Sequence, residues 1–120
     1  MSFGDDTLHP DNYVAEATDR DVILHEIDRE RERQDKKWGV QNHPDGTSFV
    51  GYAYARNQFR ALCDYAHERG KQTWLNILQE EVYEAFAEED PEKLEEELIQ
   101  VAAVAVSWIE AIRRRKNGNK

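Results

Sequence analysis

The stretch from Thr73 to Arg115 constrains the fold most, because its apolar residues recur with the period of an α-helix on both sides of one break. A first helix, ending near Glu88, collects one apolar stripe: Trp74, Leu78, Val82 and Ala85. A second helix carries a longer stripe: Leu94, Leu98, Val101, Ala105, Trp108, Ile109 and Ile112. Asp90 as N-cap and Pro91 at the first helical position predict a sharp restart, which makes the two helices antiparallel.

Acidic residues fall on the faces that these two helices should bury. Glu81 lies inside the first apolar stripe, Glu84 lies one turn on at its edge, and Glu97 lies on the edge of the second. A carboxylate removed from water costs several kcal/mol unless something compensates it, and converging acids also repel each other. A hard divalent cation prefers carboxylate and amide oxygens, and Gln100 offers an amide one turn after Glu97. The pattern indicates a Mg²⁺ or Mn²⁺ site between the helices.

A simpler interpretation is that these acids are solvated. The chain has 25 acidic residues, and acid runs on helices commonly face water. Surface placement explains one group of acids well: Glu80, Glu88, Glu89, Glu95 and Glu96. It explains Glu81 and Glu97 badly, because Glu81 lies inside one apolar stripe and Glu97 lies on the edge of the other. Periodicity alone leaves both interpretations open.

The order of these acids resembles the motif of a known enzyme family. Glu80-Glu81-x-x-Glu84, then twelve residues, then Glu97-x-x-Gln100 is similar to the pattern E-E-x-x-E, a short gap and E-x-x-D of the MazG-like all-alpha nucleoside triphosphate pyrophosphohydrolases. The resemblance covers about residues 70 to 112. One position departs from the pattern, since Gln100 stands where the family has Asp and brings no charge to the site.

The resemblance implies a fold and an activity. It implies an all-α four-helix bundle of the all-alpha NTP pyrophosphatase type, completed by oligomerisation as a homodimer or homotetramer. It implies hydrolysis of a nucleoside triphosphate to the monophosphate and pyrophosphate. Mg²⁺, or Mn²⁺, would be held by four residues: Glu81, Glu84, Glu97 and Gln100. Glu80 and Glu81 are the expected catalytic acids, and Glu80 would orient the attacking water.

Four residues outside the acidic motif are candidates for substrate binding. Trp38 and His43 lie in a predicted loop, residues 38–49. The Pro44-Asp45-Gly46 sequence of this loop is typical of a turn. Trp38 could stack on a base and His43 could bond its edge, or Trp38 could simply hold the loop against the bundle. The resemblance favours the first role, because relatives carry an aromatic residue and a histidine in the matching region. Lys71 and Lys93 could reach a phosphate or could be solvated.

The remaining helices follow from capping and turn residues. Thr18 with Asp21 has the spacing of a capping box, which predicts a helix from about Asp19 to Lys37 that Gly39 ends. A further helix should span about Val50 to Arg69. Its buried side should include Tyr54, Phe59, Leu62, Cys63 and Ala66. We therefore expect three parts: a flexible arm over residues 1–17, a helical domain over 18–116 and a disordered tail over 117–120.

Composition limits the other function classes. The net charge of −9 argues against nonspecific nucleic-acid binding and against an anionic membrane surface. The single cysteine excludes an intrachain disulfide and favours a reducing compartment. No segment reads as a signal peptide or a bilayer span, so we expect a cytoplasmic protein. A non-catalytic nucleotide-binding bundle and a structural adaptor remain alternatives to the enzyme.

Overall fold

The computed structural model describes residues 16–118, which form four α-helices and no strand. In chain order these are α1 (Asp19–Trp38), α2 (Val50–Glu68), α3 (Trp74–Ala87) and α4 (Pro91–Lys116). The prediction of an all-α chain is confirmed for this range. The greater part of the predicted arm and the end of the predicted tail lie outside it. None of the four helices is long and apolar enough to cross a membrane.

Side-chain caps define where α1 and α3 begin. The Thr18 hydroxyl accepts a hydrogen bond from the Asp21 amide at 3.1 Å, and the Asp21 carboxylate accepts one from the Thr18 amide at 3.0 Å. Thr73 and Asn76 make the same reciprocal pair at the start of α3, with distances of 3.1 and 3.0 Å. Each box satisfies amides that lack a partner in the first turn. The predicted start of α1 is thereby confirmed, and α3 starts at Trp74, with Thr73 as its cap.

The link between α3 and α4 is short and rigid. The Asp90 carboxylate accepts a hydrogen bond from the Lys93 amide at 3.1 Å, and Pro91 occupies the first helical position. The Glu88 carboxylate accepts another from the Asp90 amide at 3.0 Å. The residues between Ala87 and Pro91 therefore reverse the chain immediately, as predicted, and α4 packs back along α3.

The helices form an open row rather than a closed bundle. α2 packs against α3, α3 against α4, and α4 against α1, and the described parts of α1 and α2 do not contact each other. In a closed four-helix arrangement each helix has two neighbours. Here α1 and α2 have one each, so both leave much of their surface uncovered.

The buried core is correspondingly small. Among the described residues the buried hydrophobic side chains are Ile23, Cys63, Ala85, Leu94 and Val106. The burial predicted for Cys63 is confirmed. Tyr54 and Leu62 were expected on the same buried side of α2, but they are 69% and 53% exposed. Leu98, expected in the stripe of α4, is 51% exposed. These three predictions are wrong because periodicity identifies an apolar face but cannot supply the neighbour that would cover it.

α1 is attached to α4 by one apolar anchor and two ion pairs. Ile23 is 1% exposed. The Arg113 guanidinium donates to both Glu26 oxygens, at 2.8 and 3.0 Å, and lowers the pKa of that carboxyl. Arg20 Nε donates to Glu110 at 3.1 Å. The second half of α1 is exposed and forms ion pairs mostly within the helix, so its attachment depends on the first half.

We predict that Ile23→Ala lowers the free energy of unfolding by about 2–4 kcal/mol, because a fully buried aliphatic side chain is lost and leaves a cavity. Urea denaturation followed by circular dichroism measures this change. Val22→Ala is the matched control, since Val22 is 44% exposed and neighbours Ile23 on the same helix. Equal effects of the two substitutions would contradict the assignment of Ile23 as the anchor of α1.

Candidate functional site

Four acids lie near the junction of α3 and α4. α3 contributes Glu80, Glu81 and Glu84, and α4 contributes Glu97; all four are only partly exposed. Exposed acids lie near them on the same two segments: Glu89, Glu95 and Glu96. Surface placement, which was expected for Glu80 and Glu88 as well, holds only for these exposed three, because Glu80 and Glu88 are partly covered where the helices pack. We call the four acids Glu80, Glu81, Glu84 and Glu97 the acidic site.

Glu81 and Glu97 are the two uncompensated members of the acidic site. Burial is the main cause that raises the pKa of Glu81, and the negative charge of Glu97 is the next. Burial likewise raises the pKa of Glu97, followed by the charge of Glu84. Neither carboxylate forms an ion pair with any described Lys, Arg or His. Two acids from facing helices therefore repel each other across the interface in a partly dehydrated setting.

Arg60 of α2 neutralises the other half of the acidic site. Its Nη2 donates to Glu84 Oε1, and its Nε lies 3.8 Å from Glu80 Oε2. The side chains of Glu80 and Glu84 are 26% and 23% exposed, whereas that of Arg60 is 45% exposed. Sequence reasoning missed Arg60. The sequence did contain a sign that Arg60 faces α3: it lies three residues before Cys63, which was predicted to be buried, and so shares its helix face.

An aromatic cluster fixes α2 on α3 beside these acids. Phe59 stacks on Tyr83, with ring centroids 4.8 Å apart. Tyr52 lies 5.4 Å from Phe86, which lies 5.2 Å from Tyr83, and Phe49 lies 5.5 Å from Tyr52. Such contacts stabilise more than their buried area alone. Because Phe59 precedes Arg60 and Tyr83 precedes Glu84, this packing also sets the register of the ion pair.

The end of the 38–49 loop is tied to the same helix pair. The Ser48 amide donates to the Phe86 carbonyl at 2.8 Å. Ser48 has a φ of 70°, in the left-handed region that non-glycine residues seldom adopt. The predicted turn reaches that region at Gly46, with a φ of 74°. The loop is therefore held at its α2 end, next to the aromatic cluster.

The four predicted substrate-binding residues lie on the surface. Trp38 is 61% exposed, and the Lys37 ammonium stands 4.9 Å from its ring centroid. His43 is exposed and shares a hydrogen bond of 2.9 Å with Gln41. Lys71 and Lys93 are exposed and form no ion pair within the described part of the chain. None of the four forms a hydrogen bond or ion pair with the acidic site there.

The acidic site has the right donors for a hard cation but is not closed around one. Gln100 is exposed, one turn after Glu97 on α4. Within residues 16–118 no three His, Cys, Asp or Glu side chains are gathered closely enough to hold a metal ion. Carboxylate and amide oxygens are nevertheless the ligands that Mg²⁺ prefers. With Glu84 engaged by Arg60, side chains would have to move before the acids could share one ion.

Carboxylates at a helix interface can ligate a cation or accept a proton, and they repel a bare polyanion. Comparisons with known protein families, with curated proteins and with solved structures give no match for this chain.

We predict that Glu81→Gln raises the melting temperature of the metal-free protein at pH 7. The pKa of Glu81 is raised in the folded state, so its ionised form destabilises the fold above that pKa, and protonation relieves the cost as the pH falls through it. The gain should fade towards pH about 4, near the value for an unperturbed Glu. Thermal melts in chelator at several pH values measure it. Glu95→Gln removes the same charge from an exposed position and should change little.

Proposed function

We propose that this chain is a metal-dependent nucleoside triphosphate pyrophosphohydrolase of the MazG-like type, which releases a nucleoside monophosphate and pyrophosphate. The observation that carries the proposal is the pair Glu81 and Glu97, which are half-buried on facing helices and form no ion pair with any described cation. An uncompensated pair of this kind costs stability, which is expected where a ligand supplies the missing charge. The similarity of the acidic motif to that family supports the same conclusion.

In this proposal Glu81, Glu84 and Glu97 would hold Mg²⁺ or Mn²⁺, with Gln100 as a neutral fourth ligand. The cation, when bound, neutralises triphosphate oxygens and lowers the pKa of a bound water. The donor chemistry agrees with this role, since all four side chains offer oxygen. The exposure of Gln100 leaves its amide free to turn towards a ligand.

Other residues of the chain would accept the proton and bind the substrate. Glu80 adjoins the proposed ligands and would accept a proton from the water that attacks the α-phosphorus, with Glu81 beside it. Trp38 would stack on the base and His43 would bond its edge. Lys71 and Lys93 would meet the phosphates; these two lysines and the two loop residues are all exposed and so open to a ligand. We place this activity in the cytoplasm.

We further propose that the chain assembles with copies of itself, as a homodimer or homotetramer. Five buried hydrophobic side chains make a small core for the described helices, and the row of helices is open at both ends. One uncovered patch runs along α4 and onto α1: Leu98 at 51% exposure, Ile99 at 65%, and Leu24 at 48%. Ala102 and Ala103 of α4 are exposed as well. Contiguous apolar surface of this kind is typical of a protein interface.

We predict that sedimentation velocity shows a species heavier than the 14.1 kDa chain at micromolar concentration. Leu98→Glu should shift the population to smaller species, because a charge would be buried in the proposed interface. Val40→Glu is the control, since Val40 is 92% exposed in the loop. A compact monomer for the parent, stable at micromolar concentration, would refute the assembly.

We predict Mg²⁺- or Mn²⁺-dependent pyrophosphate release from at least one nucleoside triphosphate in a screen of common bases and sugars. Glu97→Gln should lower kcat/KM by about 100-fold or more, because it removes a ligand charge, while the exposed Glu95→Gln should not. Pyrophosphate detection, with chelator as the negative control, measures this. Nucleotide binding without release would indicate the non-catalytic alternative, and neither binding nor release would indicate an adaptor.

A further inference from the structure

We propose that Arg60 is an internal counter-ion that a divalent cation must displace from Glu84, so that this arginine sets the metal affinity of the acidic site. The inference rests on the metal-binding part of the proposed function. Arg60 extends from α2 to two acids of α3, donating to Glu84 and lying 3.8 Å from Glu80. Neither the candidate motif nor the predicted substrate residues include it.

Positive charge is distributed unevenly over the acidic site. Among the described residues, Arg60 is the one cation that forms ion pairs with any of the four acids. Glu84 and Glu80 pair with this cation, whereas Glu81 and Glu97 form no ion pair with a described residue. The charge of Arg60 still lowers the pKa of Glu97, but burial and the neighbouring acids raise it more. A cation that also uses Glu84 would meet the guanidinium at the same carboxylate, where like charges repel. Arg60 and the metal therefore compete for Glu84.

Within residues 16–118 no three acids are gathered closely enough to hold a metal ion. Glu84 is engaged by α2 through Arg60, while Glu81 faces the charge of Glu97 on α4. Release of Glu84 would add a third carboxylate to that pair. The ion pair thus accounts for the open geometry of the acidic site.

Arg60 is exposed enough to move away from its two partners. Its side chain is 45% exposed, about twice as much as those of its two partners. Ion pairs with such exposure contribute little to stability, and arginine remains hydrated when it swings into solvent. The aromatic contacts, in particular Phe59 on Tyr83, keep α2 on α3 without it.

A purely structural role for Arg60 makes a different prediction. A clamp between α2 and α3 would change the melting temperature when removed and leave metal affinity unchanged. A counter-ion would change metal affinity even where the fold is intact. Metal binding in the absence of nucleotide separates the two roles.

The experiment titrates the full chain, first stripped with chelator, with Mn²⁺ and then Mg²⁺ in a calorimeter. We expect Arg60→Gln to bind Mn²⁺ about tenfold more tightly than the parent, the size of one competing charge-assisted hydrogen bond. Arg60→Lys keeps the charge and should stay near the parent. Arg56→Gln is the matched control, because Arg56 lies one turn earlier on α2 and bonds its neighbour Asn57 at 3.3 Å. It removes the same net charge.

A second measurement uses the parent alone, in case Arg60→Gln fails to fold. In ¹⁵N-labelled protein the Arg60 Nε–H resonance, identified by its loss in Arg60→Lys, should shift with the midpoint of the Mg²⁺ titration. A resonance that does not respond while Mg²⁺ binds would overturn the proposal. So would equal Mn²⁺ affinities of Arg60→Gln and Arg56→Gln, or the absence of metal binding in every variant.

The outcomes also separate this inference from the proposed function. Tighter Mn²⁺ binding by Arg60→Gln without any pyrophosphate release would refute the hydrolase and support the counter-ion. Metal-dependent pyrophosphate release with unchanged metal affinity in Arg60→Gln would support the hydrolase and refute the counter-ion.

Discussion

The packing of α3 against α4 is the constraint on which the rest of the structure depends. The link is short, with Asp90 as the N-cap of α4 and Pro91 at its first position, so these helices pack antiparallel. Their apolar stripes supply the contact, and the same contact places Glu81 and Glu97 between them. The burial that stabilises the pair of helices therefore also raises the pKa of both carboxyls. The same interface therefore has two opposite effects on stability, because burial of its apolar side chains is favourable and burial of the two carboxylates is unfavourable.

α2 changes the electrostatics of that interface. Among the described helices it packs against α3 alone, through the aromatic cluster and through Arg60. Glu84 gains an ion pair by this packing, whereas Glu81 and Glu97 form none with a described residue. The acidic site is thus asymmetric, with a neutralised side towards α2 and an uncompensated side towards α4. An asymmetric set of acids can persist in the folded chain without a metal ion and still offer two carboxylates to one.

The open row of helices has a separate consequence. α1 is attached through Ile23 and two ion pairs to α4, and its charged second half extends away from any described neighbour. Apolar side chains on α1, α2 and α4 stay exposed because no helix of the same chain covers them. Hydrophobic surface left in water is costly in proportion to its area. The surfaces that the row leaves open are where contacts with another copy would restore a normal core.

The sequence by itself determined the helices, their caps and the antiparallel turn at Asp90-Pro91, because these depend on local hydrogen bonding and on a period of 3.6 residues. It also singled out Glu81 and Glu97, since an acid inside an apolar stripe or on its edge is visible without a structure. It could not determine that Arg60 pairs with Glu84, because that contact joins residues of different helices and depends on how α2 lies on α3. Nor could it show that Tyr54, Leu62 and Leu98 remain exposed. Periodicity shows which face is apolar, and only the tertiary structure decides whether another helix is there to cover it.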